Sequence, residues 1–130
     1  MKVVIPARFE SSRLKGKVIM DVAGKPMVVR VAEQVADVFP LDDIVIAVDH
    51  ADVRDVVVAA GFRAISTSGQ HRSGTESVAE VVDVCGWAKN TIVLNVQGDE
   101  PLIDPALIRS FSEFAGELQG ESMGSVMTPV

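Results

Sequence analysis

The chain has 130 residues, of which 48% are hydrophobic, 23% charged and 5% aromatic, with one cysteine and a formal net charge of −6. That length suits one domain, the apolar fraction excludes an intrinsically disordered chain, and a lone cysteine excludes a disulfide scaffold or a cysteine-rich metal site. No apolar run approaches the ~18 residues of a membrane span, and Arg8, Glu10, Arg13, Lys15 and Lys17 break up any signal-peptide core, so a cytoplasmic location is expected.

Residues 2–6 (KVVIP) are a short apolar run and predict a buried first strand. Residues 26–38 (PMVVRVAEQVADV) carry valines at helical spacing behind a proline suited to a first turn, and predict an amphipathic helix. Residues 44–48 predict a second strand, 51–60 a helix stopped by Gly61, and 62–66 a weaker third strand. A helix over 74–85 follows, with Thr75 as its cap, Val78, Val81, Val82 and Cys85 facing the core, and Gly86 at its end. Residues 91–96 (TIVLNV) predict a central strand, 105–118 another helix, and 125–130 a fifth strand. The chain stops inside that strand, which reads as part of a longer protein.

Apolar strands alternating with helices predict an α/β fold: a Rossmann-like, doubly wound, mostly parallel sheet with helices on both faces, in a single nucleotide-binding domain over 1–130. Ligands in such sheets bind beyond the carboxyl ends of the strands. Three polar segments leave those ends, and function is sought there.

The first segment is basic. Residues 1–30 carry seven basic side chains against Glu10 and Asp21, a charge of +5, whereas the other hundred residues carry −11. An acidic chain does not suit nucleic acid, but a local basic cluster suits a small anion. Residues 5–17 (IPARFESSRLKGK) are too long for a simple strand-to-helix turn. Arg8, Arg13 and Lys17 supply a cationic set for phosphate oxygens, and Ser11, Ser12 and Gly16 add hydroxyls and approachable backbone N–H groups. The pattern is neither GxxxxGK[ST] nor GxGxxG. From the residues alone, an anion site and a solvated loop both remain open.

The second segment, His71-Arg72-Ser73-Gly74-Thr75-Glu76, reads as a capped helix start with an acidic first turn. In the third, Asn95-Val96-Gln97-Gly98-Asp99-Glu100-Pro101, an apolar strand runs into Asp99. That suits a carboxylate holding Mg²⁺ beside phosphates, and equally a turn built on Gly and Asp. Gly98 permits a tight approach. Glu100 either joins the metal shell or is solvated. Asp49 and His50 end the second strand, with Asp49 placed to cap the helix from Ala51. Cys85 and Trp87 read as packing.

IPARFESSRL followed by GK, GKPM opening a helix, VDH after the second strand, HRSGTE and NVQGDEP together resemble the CMP-sugar synthetases, a nucleotidyltransferase family. The branch they resemble most is 3-deoxy-manno-octulosonate (KDO) cytidylyltransferase, the CMP-KDO synthetases. The resemblance runs in order through essentially the whole chain and covers about the first half of such an enzyme. It implies a sheet of the nucleotide-diphospho-sugar transferase type, CTP and KDO as small-molecule substrates, and Mg²⁺ as cofactor. The implied reaction is CMP transfer with pyrophosphate release, for lipopolysaccharide biosynthesis. It implies no nucleic-acid or membrane partner, and a homodimer whose main contacts belong to the family's later half.

Residue by residue, the resemblance implies that Ala7, Arg8, Ser12, Arg13 and Lys17 bind the nucleotide through its triphosphate. It implies that Arg72 and Ser73 read cytosine, that Gln97 binds the sugar, and that Asp99 binds the metal. Arg13, Lys17 and Asp99 are then the catalytic residues. The chain departs from the family pattern where Lys15 and Val18 replace prolines, which predicts a less rigid loop. Ser77 replaces an arginine, which predicts the loss of a cation from the site's rim. Two alternatives remain open: activation of another acidic sugar (amino-KDO or sialic acid), and a non-catalytic nucleotide-binding or scaffold role. The family's second metal-binding aspartate and most of its KDO site belong to its later half, so this chain is expected to bind CTP without efficient turnover.

Overall fold

The structure is a computed structural model that describes residues 2–9, 16–22, 24–67, 74–88, 91–96, 98, 110, 113 and 125–127. Its frame is a five-stranded sheet of β1 (Lys2–Ala7), β4 (Ile44–Val48), β5 (Arg63–Ser66), β6 (Ile92–Asn95) and β7 (Ser125–Met127). Their spatial order is β5-β4-β1-β6-β7, and every pairing is parallel. Counted along the chain, these strands lie 3-2-1-4-5. That is the doubly wound order expected when apolar strands alternate with helices.

The sequence of β1 explains its central place. Val3, Val4 and Ile5 are all 0% exposed, and neighbours along the strand face opposite layers. Val3, Ile5 and Ala7 join Ile44, Ile46, Val48 and Leu94 on one face. Val4 joins Val45, Ala47 and Val93 on the other. A strand buried on both faces shows a continuous apolar run rather than alternation. Each of the valine, isoleucine and leucine side chains among them contributes about 1.5–3 kcal/mol when fully buried.

Among the described residues, three helices cover the sheet. Helix α1 (Met27–Ala36) starts at Pro26 without a side-chain cap and buries Val28, Val29, Val31, Ala32 and Val35. Helix α2 (Ala51–Ala59) adds Val53 and Val57 to the same face. It closes at Gly61, whose φ of 90° lets the chain turn back into β5. Helix α3 (Gly74–Cys85) covers the opposite face with Val78 and Val81, and Val82, Cys85 and Trp87 pack around them as expected. No helix among the described residues is long and apolar enough to cross a membrane.

Three features depart from the sequence expectations. Thr75, expected as the cap of α3, lies within that helix, which starts at Gly74. Asp21–Val22 (β2) and Lys25–Pro26 (β3) form a small antiparallel hairpin before α1. Arg30 Nε ties it to the helix by donating to the Val22 carbonyl at 2.9 Å. Asp49 does not cap α2: His50 does, its Nδ1 accepting the Asp52 N–H at 3.1 Å. The helix expected over 105–118 lies outside the described residues except for Ser110 and Glu113, both helical.

Candidate functional site

The chain leaves β1 toward β4 and β5 on one side, then returns through α3 to β6 on the other. The loops after β1 and β6 therefore part company between neighbouring strands. Such a switch point opens a crevice at the carboxyl edge of the sheet, where nucleotides bind in doubly wound folds. Both the basic loop and the QGD segment start there.

The two loops begin in direct contact. The Val96 and Gly98 N–H groups donate to the Val4 and Pro6 carbonyls at 3.1 and 2.9 Å, extending the β1–β6 ladder past the end of β6. Gly98 is buried. A Cβ added there meets the Pro6 carbonyl oxygen at 2.9 Å, the Ala7 Cβ at 3.3 Å and the Ala7 Cα at 3.4 Å. Glycine is therefore required by space: no other residue lets the chain at position 98 lie against β1.

On the β4 side, the basic loop leaves and returns through a neck. The Gly16 N–H donates to the Phe9 carbonyl at 2.7 Å, and Gly16 turns the chain with a φ of 74°. The Phe9 N–H donates to Asp49 Oδ1 at 2.9 Å. The Phe9 ring stacks on the His50 imidazole, with centroids 4.1 Å apart and planes 15° from parallel. Register explains the meeting. Ala7 pairs with Val48, so the residues just beyond each strand end emerge side by side. A polar cavity of about 170 Å³ lies next to this neck, lined by Asp49, His50, Arg54, Ser66 and Thr67 among others.

Of the residues singled out in the sequence, Ala7 is buried at the end of β1 and Arg8 is half-buried just beyond it. Lys17 begins the 3₁₀ turn Lys17–Ile19. Ser12, Arg13, Arg72, Ser73, Gln97 and Asp99 lie outside the described residues, as does Lys15. Val18 is 1% exposed within the α1-side core, so it anchors the loop's return by burial where a proline would act by stiffness. Ser77 is likewise 1% exposed, which places position 77 in the interior rather than on an open rim. Among the described residues its hydroxyl has no hydrogen-bond partner.

Sequence reasoning placed Asp49 and His50 at the end of the second strand but missed Phe9 and the contacts that join the three. The VDH motif was the available signal, but its partner stands 40 residues away in the chain.

A parallel sheet in the order β5-β4-β1-β6-β7, with the ends of β1 and β6 in contact at its switch point, defines a doubly wound α/β protein. Comparison with known proteins narrows this. Residues 2–130 match the family model described as cytidylyltransferase, and the chain belongs to that family. It is 45% identical over 128 residues to "3-deoxy-manno-octulosonate cytidylyltransferase 2" of Burkholderia ambifaria, covering 98% of this chain and 48% of that protein. The protein of the same name from Burkholderia lata is 44% identical over the same spans. A CMP:2-keto-3-deoxy-manno-octonic acid synthetase solved with CTP superposes with a TM-score of 0.80 at 36% identity, over 89% of this chain and 47% of that one. A cytidylyltransferase from Leptospira borgpetersenii, at 15% identity and a TM-score of 0.69, shares the fold over 87% of this chain and 47% of its own. The chain thus spans about half the length of the relatives it matches.

Proposed function

We propose that these residues form the CTP-binding half of an enzyme that transfers CMP from CTP to KDO and releases pyrophosphate. The observation that carries this reading is the contact of Gly98 with Pro6 and Ala7, which brings the starts of the basic loop and the QGD segment to one crevice. The similarity to KDO cytidylyltransferases over nearly the whole chain supports it.

In the proposed reaction the anomeric hydroxyl of KDO attacks the α-phosphorus of CTP in line. The new O–P bond forms as the bond to the β-phosphate oxygen breaks, and pyrophosphate leaves. The hydroxyl proton passes to solvent. Arg8, Arg13 and Lys17 neutralise the triphosphate oxygens and keep the α-phosphorus in the attacking line, with Ser12 supplying a hydroxyl at the bend. Arg72 and Ser73 read the cytosine edge, and Gln97 orients the sugar.

The described residues contain no cluster of three or more metal-binding side chains. What fits Mg²⁺ is the hard carboxylate of Asp99, next in the chain after a glycine pressed against the end of β1. Asp99 is therefore the residue proposed to hold the ion, which when bound neutralises phosphate charge.

The test is pyrophosphate release by the whole protein from CTP and Mg²⁺, with KDO, amino-KDO and sialic acid as acceptors. Release that is fastest with KDO supports the reading; release confined to another sugar, or none with any, overturns it.

A further inference from the structure

We propose that Asp49 and His50 are positioning residues that hold the neck of the basic loop in its ligand-ready shape. This rests on the reading that the loop binds CTP phosphates.

Phe9 is held at three points. Its N–H is bonded to Asp49 Oδ1, its carbonyl accepts the Gly16 N–H, and its ring is stacked on His50. The ring also lies close over Gly16, where an added Cβ would stand 3.2 Å from Phe9 Cε2. His50 is itself fixed by accepting the Asp52 N–H. Phe9 and Gly16, the described ends of the basic loop, are therefore bonded to each other and fixed against the end of β4.

The charge of Asp49 argues that this is more than packing. A carboxylate next to a phosphate site opposes the ligand, so it must act there through something other than its charge. The bond from the Phe9 N–H supplies that role, and it joins the two loops that flank the β1–β4 strand pair. A neck fixed before the ligand arrives spares the ordering that binding otherwise requires.

The experiment measures the CTP dissociation constant with Mg²⁺, together with amide exchange at Phe9 and Gly16. The proteins compared are the unaltered one, Asp49→Ala, Asp49→Asn and His50→Ala. Removing the acceptor in Asp49→Ala should weaken CTP binding about fivefold and speed exchange at both amides. Asn retains an acceptor oxygen, so Asp49→Asn should stay within about twofold of the unaltered protein. His50→Ala should fall between them, and it carries the test if Asp49→Ala does not fold. Lys2→Met, which removes an ion pair to Asp43 elsewhere, should change neither readout. The proposal is overturned if CTP affinity and both exchange rates in Asp49→Ala match the unaltered protein, or if Asp49→Asn is as impaired as Asp49→Ala. If the unaltered protein binds no CTP, the functional reading fails, and the amide exchange rates alone decide whether the clamp exists.

Discussion

Substituting Gly98 by alanine tests the crevice with the smallest possible change. The glycine is not in a left-handed conformation, so alanine meets no backbone strain there and the effect is purely one of space. The new methyl would stand 2.9 Å from the Pro6 carbonyl oxygen, about half an ångström inside normal contact, with Ala7 at 3.3 and 3.4 Å behind it. Neither neighbour is a flexible side-chain tip, so the backbone at position 98 must move. Overpacking of this kind costs about 1–3 kcal/mol. Displacing the Gly98 N–H from the Pro6 carbonyl forfeits a further ~1 kcal/mol. A total of about 2–4 kcal/mol corresponds to a melting temperature lowered by about 8–16 °C for a domain of this size. Scanning calorimetry measures that shift, and titration with CTP and Mg²⁺ should show binding weakened by tenfold or more. A G98A protein that melts and binds CTP like the unaltered one would refute the claim that this contact shapes the site.

Other substitutions separate the neck, the core and the surface. Gly16→Ala places a Cβ at a φ of 74° and 3.2 Å from the Phe9 ring; at about 1–2 kcal/mol of backbone strain, CTP affinity should fall about tenfold, read by calorimetric titration. Val81→Ala removes two methyl groups from a fully buried position under α3, and should cost about 2 kcal/mol in urea unfolding while CTP affinity stays within about twofold. Lys2→Met breaks a half-exposed ion pair of 3.0 Å with Asp43; it should change unfolding free energy by less than about 1 kcal/mol.

The sheet was legible because its strands are buried on both faces. Residues 2–6, 44–48 and 91–96 are apolar runs that only a covered parallel sheet accommodates, and each contains or overlaps an observed strand. Helix ends were legible where glycine marks them, at Gly61 and Gly86, both with positive φ. The β2–β3 hairpin was not, because two-residue strands are too short to show alternation. Asp49 misled for a related reason. Local preference makes aspartate before a helix a cap, but the register of Ala7 with Val48 offers it a backbone N–H from the neighbouring loop. His50 then serves as the cap, a role its residue type does not advertise.

The candidate site divides along the same line. Gly98 was read as permitting a tight approach, beside the equal reading of a turn built on Gly and Asp, and its contact with Pro6 and Ala7 bears the first out. The neck was invisible because it depends on contacts between segments 40 residues apart. Ser77 and Val18, noted only as departures from a family pattern, are both interior positions. Their effect is on packing, which no comparison of residue types displays.

The measurement that bears most directly on the central claim is calorimetric titration of this chain with CTP, in Mg²⁺ and in EDTA, with ATP as the comparison nucleotide. The account predicts saturable one-to-one binding of CTP that weakens strongly when the metal is removed and is not matched by ATP. Absence of CTP binding, or equal binding of both nucleotides irrespective of Mg²⁺, would contradict it.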